Sequence, residues 1–373
     1  MLASMPAAAS AFDRPEPRSS DRAWVADAID ALARESRACP DTPMHELRLP
    51  GFPGIRFLLK DETAHPTGSL KHRLARSLFL YALCSGRLRP GQAAVDASSG
   101  STAISEAWFA RRLGVPFTAV MPRGTAIVKQ RALAAIGGRC ELVDAGVDPA
   151  ARARELAEAS GACYLDQFGL AASATDWRGN NNIAQSILAN CRELGAGDPD
   201  WIVCGAGTGG TSATIGRFLR HAGSAARLCV AEPTGAAFAQ GWARGDRAAI
   251  ARAPTCIEGI GRARVEPCFA FELVDAVHEI EDSASIAGAL LLQRWTETLY
   301  GGSSGTNLVA ALALAHAMQA RGEAGTIVLL LCDLGERYAD SLFDPSWRER
   351  HDLDTRPWLR VLGDAAGEGA LRR

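Results

Sequence analysis

The sequence lacks several features that would assign it to a special class of protein. Its 40 basic and 42 acidic residues leave a formal net charge of -2, so there is no basic excess to hold a nucleic-acid backbone. No apolar run approaches the length of a membrane span, and the apolar run near the N-terminus is too short for a signal peptide. We therefore expect a small-molecule partner, with neither nucleic acid nor membrane involved.

Cysteines are present, but the spacing that would indicate a zinc site is absent. No pair forms a C-x-x-C motif, and most cysteines fall inside apolar strand-like or helical segments. This placement is typical of buried thiols in a reducing cytoplasm, so we predict a cytoplasmic protein with no metal site. The ten positions are Cys39, Cys84, Cys140, Cys163, Cys191, Cys204, Cys229, Cys256, Cys268 and Cys332.

The chain alternates short apolar strands with helices of about a dozen residues, which predicts parallel-rich sheets covered by helices on both faces. A length of 373 residues with 47% hydrophobic residues allows about two domains. We expect a smaller domain at residues 65–170 and a larger one formed by residues 21–64 and 171–345. Residues 1–20 are expected to form a disordered leader, and residues 346–373 a charged, weakly structured tail.

The first candidate functional residue is Lys71, which lies where a predicted strand end meets a helix start. A helix N-terminus disfavours a cation, and a desolvated lysine there is shifted toward the neutral, nucleophilic amine. The alternative for a single lysine is an exposed surface position. The choice between them therefore depends on other loops of the chain.

Three further loops of small residues also follow apolar segments and open helices. Residues 98–102 read Ser-Ser-Gly-Ser-Thr and suit a carboxylate or phosphate, or only an N-cap. Residues 205–211 match G-x-G-x-x-G, and Glu232 follows at the end of the next strand, so a dinucleotide site is one hypothesis. A single phosphate monoester bound by several backbone amides is the stronger one. Residues 301–306 form a similar turn.

Together and in this order, these stretches resemble the pyridoxal-phosphate enzymes of fold type II, the tryptophan-synthase β-like group, and within it the cysteine synthase and cystathionine β-synthase family. The likeness covers about residues 50–340 and is nearest to the bacterial L-cysteine desulfhydrases. The matching segments are residues 60–63, 67–73, 98–103, 175–182, 258–261 and 333–338. The resemblance implies two three-layer α/β domains, pyridoxal 5′-phosphate as cofactor, a small amino-acid substrate and a homodimer.

The same resemblance implies a role for each matched position. Lys71 would be the catalytic residue that forms the Schiff base with the cofactor, and Ser303 would contact the pyridine nitrogen. The cofactor phosphate would be held by Gly207, Thr208, Gly209, Gly210 and Thr211. The substrate carboxylate would be bound by Ser99, Gly100, Thr102 and Gln167.

The sequence departs from the family pattern at two places. Ser101 stands where the family usually has an asparagine that contacts the phenolic oxygen of the cofactor, and residues 175–182 lack the motif that is usual in a synthase. These departures favour β-elimination of L-cysteine to sulfide, pyruvate and ammonia. The alternative is β-replacement, as in cysteine synthase (O-acetylserine sulfhydrylase) or cystathionine β-synthase. A nicotinamide-dependent oxidoreductase and a catalytically silent binding protein are the alternatives from other classes.

Overall fold

The computed structural model describes residues 19–372, with side chains from residue 21 onward. Residues 1–18 of the predicted leader lie outside the described residues, and residues 19 and 20 belong to the first helix. Within the described part of the chain, none of the helices combines the length and the apolar character that a membrane crossing requires.

The strands and helices alternate along most of the chain, as the sequence predicts. The strands are β1 (Met44–Arg48), β2 (Ile55–Asp61), β3 (Ala94–Ala97), β4 (Phe117–Pro122), β5 (Arg139–Val143), β6 (Cys163–Tyr164), β7 (Trp201–Gly205), β8 (Arg227–Pro233), β9 (Ala276–Ile280), β10 (Gly325–Leu331) and β11 (Ala370–Leu371). The helices are α1 (Ser19–Ala38), α2 (Lys71–Cys84), α3 (Ser101–Leu113), α4 (Ile127–Ala135), α5 (Pro149–Ser160), α6 (Gln167–Ala174), α7 (Ile183–Glu193), α8 (Gly210–Ala222), α9 (Ala237–Arg244), α10 (Asp282–Thr296), α11 (Gly302–Ala320), α12 (Pro345–Arg350) and α13 (Arg356–Ala366).

The strands form two separate sheets. A seven-stranded sheet has the order β11-β1-β2-β10-β7-β8-β9 and is parallel from β2 to β9, while β1 and β11 add an antiparallel edge. A four-stranded sheet has the order β5-β4-β3-β6 and is parallel throughout. The prediction of an α/β fold with parallel-rich sheets is confirmed.

Strand β10 shows why the seven-stranded sheet is buried on both faces. Ile327, Leu329 and Leu331 point into one hydrophobic core, and Val328 and Leu330 point into a second core on the opposite face. A continuous run of large apolar residues has no polar face to offer to water, so helices must cover both sides of the strand. The loops at the carboxyl end of β10 are therefore held by a rigid centre.

The expectation of a weakly structured C-terminal tail is wrong. Helix α13 buries Leu362 and Ala366 in the main core and packs against α10, and β11 extends the sheet by pairing Leu371 with Leu47. The apolar residues of this segment form a narrow face at helical spacing, which is difficult to recognise among its many charged residues.

Helix α9 was not predicted from the sequence. The domain limits at residues 65 and 171 stay a prediction.

Lys60 is a buried lysine with a structural place in the fold. Its ammonium nitrogen donates to Thr42 O at 2.6 Å, Ser186 Oγ at 2.5 Å and Asn190 Oδ1 at 2.7 Å, and its side chain is fully buried. Burial lowers its pKa to about 8, against the opposing charges of Glu62 and Asp41. All three donors are used, so Lys60 joins β2 to α7 and has none left for a ligand.

We expect Lys60→Met to lower the free energy of unfolding by about 3–5 kcal/mol, because it leaves several buried acceptors without a donor. The exposed Arg34→Met is the matched control and should change the free energy by less than about 0.5 kcal/mol. Denaturant unfolding of the three proteins measures the difference. Equal stabilities would contradict a structural role for Lys60.

Candidate active site

Lys71 is the first residue of α2 and lies at the carboxyl ends of two central strands. The preceding residues attach to the segment after β10, because Leu70 N donates to Cys332 O at 2.9 Å and Ser69 bridges Asp333. Burial lowers the pKa of Lys71, and the groups that oppose this shift are Cys332, Asp333 and Cys204. The Lys71 side chain is thus a partly buried amine beside the ends of β7 and β10.

The glycine loop between β7 and α8 adjoins this amine. Gly209 has a φ of 85°, and a Cβ there would lie 2.5 Å from Phe269 Cα, while a Cβ on Gly207 would lie 2.2 Å from Gly259 O. The backbone atoms of Gly259 and Phe269 therefore lie too close to these two glycines for a larger residue to fit. Gly209 offers no side-chain cap to α8, and Gly210 N donates to Thr208 Oγ1 at 3.2 Å. The amides that follow in the first turn are available to an external anion.

Ser303 lies in the first turn of α11, which begins earlier than the sequence predicts. Its side chain is buried and hydrogen-bonds the thiol of Cys332, while Ser304 Oγ accepts from Cys332 N at 2.8 Å. The electrostatic interaction with Cys332 also opposes the lowering of the Lys71 pKa. The predicted lysine and the predicted pyridine-nitrogen partner thus both interact with one buried thiol.

The loop of residues 98–102 opens α3 from the smaller sheet. Ser98 Oγ accepts from Ala103 N at 3.1 Å, so Ser98 supplies the capping bond. Ser99 is exposed and Thr102 is buried. Gln167, at the start of α6, is buried beside this loop because its Nε2 donates to Ala97 O at 2.7 Å.

Ser101 is held across the cleft by residues after β10. Ser101 Oγ donates to Asp333 Oδ2 at 2.9 Å and accepts from Arg337 Nη1 at 2.7 Å, and the hydroxyl of Tyr338 donates to the same Asp333 oxygen at 2.7 Å. The second oxygen, Asp333 Oδ1, is buried without a hydrogen-bond donor. No role for Asp333 or Arg337 was predicted from the sequence, although charges directly after a buried strand are a signal that could have identified them.

The segment of residues 175–182 lies at a small cleft of about 90 Å³. The cleft is shared with Lys71 and with Thr208, Gly210 and Thr211 of the glycine loop. Asn182 ends the segment by capping α7, since its Oδ1 accepts from Ala184 N and Gln185 N, each at 3.0 Å. Both places where the sequence departs from the family pattern therefore lie close to the predicted site.

Glu232 does not serve a dinucleotide, because its carboxylate is already occupied. It accepts from the backbone amides of Phe238 and Ala239 at 2.9 and 2.5 Å and is fully buried at the start of α9. Burial raises its pKa to about 7, and the two amide bonds oppose that shift. No oxygen of Glu232 faces the glycine loop as a ribose ligand would require, so its placement argues against the dinucleotide hypothesis.

Two carboxyl groups lie beneath the 98–102 loop, which the sequence analysis missed. Asp96 and Glu106 are fully buried, and the charge of Asp96 acts on Glu106. Burial raises the pKa of Asp96 to about 6 and raises that of Glu106 well above its usual range, with the Asp96 charge as a further cause. Both Glu106 oxygens lack a donor, so the pair must retain a proton.

A shallow glycine cradle at a helix start, a desolvated amine and a buried hydroxyl define an enzyme that binds a phosphorylated aldehyde cofactor. The residues fit this group because the uncapped start of α8 can hold a phosphate while Lys71 and Ser303 flank the space beside it. The chain belongs to the pyridoxal-phosphate dependent enzymes, whose family model matches residues 36–333.

Known proteins that resemble this chain agree with that assignment. It is 47% identical over 341 residues to the L-cysteine desulfhydrase Cds1 of Mycobacterium tuberculosis, covering 90% of this chain and 93% of that protein. The crystal structure of O-acetylserine sulfhydrylase isoform 3 from Entamoeba histolytica superposes with a TM-score of 0.74 at 25% identity, covering 89% and 96%. A hydrogen sulfide-producing enzyme from Fusobacterium nucleatum has a TM-score of 0.77 at 22% identity, covering 92% and 98%, and shares the fold.

The Asp96–Glu106 pair predicts a pH dependence of stability. Both folded-state pKa values are raised, so the stability that the pair contributes is present at low pH and is lost as the pH rises. The loss begins near the ordinary carboxyl pKa of about 4 and continues through the folded value of about 6 and above.

Glu106→Gln keeps a neutral donor and removes this titration. We expect the free energy of unfolding of this variant, measured relative to that of the wild type, to increase by up to about 1.4 kcal/mol per pH unit as the pH rises through this range. The exposed Glu158→Gln is the control and should run parallel to the wild type. Parallel curves for Glu106→Gln, measured by denaturant unfolding from pH 4 to 8, would contradict a shared proton.

Proposed function

We propose that this protein catalyses the β-elimination of L-cysteine with pyridoxal 5′-phosphate, so that L-cysteine and water give pyruvate, ammonia and hydrogen sulfide. The observation that carries the proposal is the partly buried Lys71 amine, whose lowered pKa suits a nucleophile and base, beside Ser303 and the glycine loop. The likeness to an L-cysteine desulfhydrase over most of both chains supports the choice of substrate.

Each predicted site residue has a proposed role in this reaction. Lys71 would anchor the cofactor, and its amine would remove the α-proton of the substrate. The phosphate is held by Gly207, Thr208, Gly209, Gly210 and Thr211, and Ser303 meets the ring nitrogen. The substrate carboxylate is bound by Ser99, Gly100, Thr102 and Gln167, whose loop rests on the Asp96–Glu106 pair.

The hydroxyl of Ser303 favours β-elimination over reactions in which negative charge must persist at Cα. Pyridoxal 5′-phosphate, when bound, supplies an electron-withdrawing ring conjugated to the substrate amine. A neutral hydroxyl stabilises a protonated ring nitrogen less than a carboxylate would, so negative charge at Cα is held only weakly. Departure of sulfur from Cβ takes that electron pair away, and the reaction therefore suits this residue.

Lys71 is the proposed base because its amine is desolvated and, as the cofactor anchor, would lie next to the substrate amine. A lowered pKa leaves part of the lysine population neutral and able to accept the α-proton. Fixed placement gives this amine a high effective concentration at the substrate. The same proton can then neutralise the departing thiolate as hydrogen sulfide, and hydrolysis of the remaining fragment gives pyruvate and ammonia.

The second candidate function is β-replacement, the cysteine synthase reaction. The likeness to O-acetylserine sulfhydrylase favours it at the level of fold and family. Ser101 argues for elimination, since its hydroxyl is engaged by Asp333 and Arg337 at the position where the family usually has an asparagine. The two reactions share Lys71, so substrate assays must separate them.

We expect the purified holoenzyme to release pyruvate from L-cysteine in step with sulfide, and Lys71→Ala to lose at least about 1,000-fold in rate because it removes both anchor and base. Lys129→Ala, which alters another lysine, should keep most of the activity. A coupled pyruvate assay and a sulfide assay measure both products. Absence of pyruvate together with rapid cysteine formation from O-acetylserine and sulfide would establish the replacement reaction instead.

Ser101→Asn should shift the balance between the two reactions. The larger amide displaces the hydroxyl that bonds Asp333 and Arg337, and leaving buried partners unmatched costs about 1–3 kcal/mol, or roughly 10-fold or more in rate. We expect pyruvate release to fall by that factor relative to thiol replacement on O-acetylserine. Ser101→Ala, which removes the hydroxyl without adding an amide, separates loss of the bond from gain of the asparagine. An unchanged product ratio in both variants would contradict a role for Ser101.

We also propose that the protein acts in the cytoplasm as a homodimer. All ten cysteines are free thiols, which suits a reducing compartment. Light scattering on the purified protein tests the dimer.

A further inference from the structure

A cluster of potential metal ligands lies directly behind the Lys71 turn. Cys39 follows the end of α1, His65 lies in the turn before α2, and His72 is the second residue of α2. One ligand atom from each of these three side chains lies within 4.8 Å of the other two. Glu35, one turn before Cys39, contacts both His72 and the Cys39 thiol.

The side chains of this cluster are shielded from water, and two of their ligand atoms have no hydrogen-bond partner. Glu35, His65 and His72 are 8%, 7% and 0% exposed, while Cys39 is half-buried. His65 Nδ1 has no hydrogen-bond partner in the described structure, whereas Glu35 Oε2, which also has none, is ion-paired with Arg76 Nη1 at 3.5 Å. A buried polar atom without a partner is costly, and it is an independent sign that a group is missing from the site.

The other ring nitrogens are already bound in the way that metal-binding histidines require. His65 Nε2 lies 3.2 Å from Glu62 Oε2, which orients the ring so that Nδ1 is left to bind. His72 Nδ1 lies 3.3 Å from Thr67 Oγ1, so Nε2 faces Glu35. A carboxylate or hydroxyl on the far nitrogen is the usual arrangement behind a metal-bound imidazole.

The local charges allow a dication here. His72 Nε2 donates to Glu35 Oε1 at 2.9 Å, and a metal would take the place of this proton. Arg76 lies 3.5 Å from Glu35 and Arg73 is also nearby, and both would repel a cation. A Cys39 thiolate and the Glu35 carboxylate together would offset the two charges of the metal. Because only the thiol loses a proton on binding, the local charge would rise by one.

We propose that Cys39 Sγ, His65 Nδ1, His72 Nε2 and Glu35 Oε2 form a binding site for a divalent transition metal of the zinc class. Thiolate and imidazole together select such metals, and four ligands suit tetrahedral geometry. Bond lengths of about 2.0–2.3 Å require the ligand atoms to approach to about 3.3–3.8 Å from one another. Closure of the cluster by about 1 Å would therefore accompany binding, together with rotation of the His65 and His72 rings, which are stacked with their centroids 4.9 Å apart and their planes 19° from parallel.

A metal here would tie the end of α1 to the start of the Lys71 helix. His72 is the residue next to Lys71, so the ion would restrain the turn that carries the amine without touching the substrate. Binding to the native state alone stabilises the fold by mass action, so the melting temperature should rise with metal concentration. The site does not depend on which reaction the protein catalyses.

Titration of the holoenzyme with Co²⁺ tests the proposal, because cobalt bound by a thiolate gives a charge-transfer band and visible d–d bands. We expect one equivalent to bind, Zn²⁺ to displace it, and Cys39→Ser to abolish the charge-transfer band. His65→Gln should weaken binding by about 10–100-fold or more, since it removes a ligand. The exposed Cys84→Ser on α2 is the matched control and should bind like the wild type.

The same titration has two outcomes that would overturn the site. One is the absence of cobalt binding to a folded wild-type protein. The other is binding that Cys39→Ser and His65→Gln leave unchanged, which would place the ion elsewhere, for instance on the cofactor. Two variants at different ligands keep the test decisive if either of them fails to fold, and circular dichroism identifies such a failure.

Discussion

The structure depends on the carboxyl end of β10, where two chain segments, residues 69–70 and 301–304, are bound to two consecutive residues. Cys332 O accepts from Leu70 N, and Cys332 N donates to Ser304 Oγ. Asp333 bridges Ser69 and its carbonyl accepts from Gly301 N. These bonds fix the Lys71 turn and the start of α11 on either side of a strand that is buried on both faces. The amine is therefore held by the most rigid part of the fold, away from bulk water.

That placement explains how an ordinary lysine acquires unusual chemistry. Desolvation favours the neutral amine, while the neighbouring Cys332 and Asp333 oppose the shift only in part. Burial also lowers the pKa of Lys60, but three acceptors bind its ammonium group and leave no donor for a ligand. Burial alone does not distinguish the two lysines, whereas the number of acceptors around each one does.

The sequence predicted most of the fold and the positions of the site loops. Apolar strands, each leading into a small-residue turn and a helix, determined the α/β class, and the joint occurrence of four such turns indicated the family. The α13 helix and the β11 edge strand could not be predicted, because their few apolar residues are scattered among charged ones. These elements are stabilised by contacts with α10 and β1, which only the structure shows. The role of Glu232 could not be predicted either, because only the structure shows that its carboxylate accepts hydrogen bonds from backbone amides.

Contacts between residues that are distant in sequence could not be predicted from any local sequence pattern. Asp96 and Glu106 lie ten positions apart, yet only the packing of α3 on the small sheet shows that they share a buried space. Ser101 and Asp333 are separated by most of the chain, and Cys39, His65 and His72 have no motif spacing. The proposed metal site thus revises the expectation of no metal, which rested on spacing alone.

The central claim is that Lys71 carries the cofactor, and the chain allows a direct test because it contains three lysines, Lys60, Lys71 and Lys129. Borohydride reduction of the coloured holoenzyme, followed by peptide mapping, locates the modified lysine. The account predicts bleaching of the colour and a single pyridoxyl label on Lys71. A label on Lys60 or Lys129, or a colour that borohydride leaves unchanged, would contradict it.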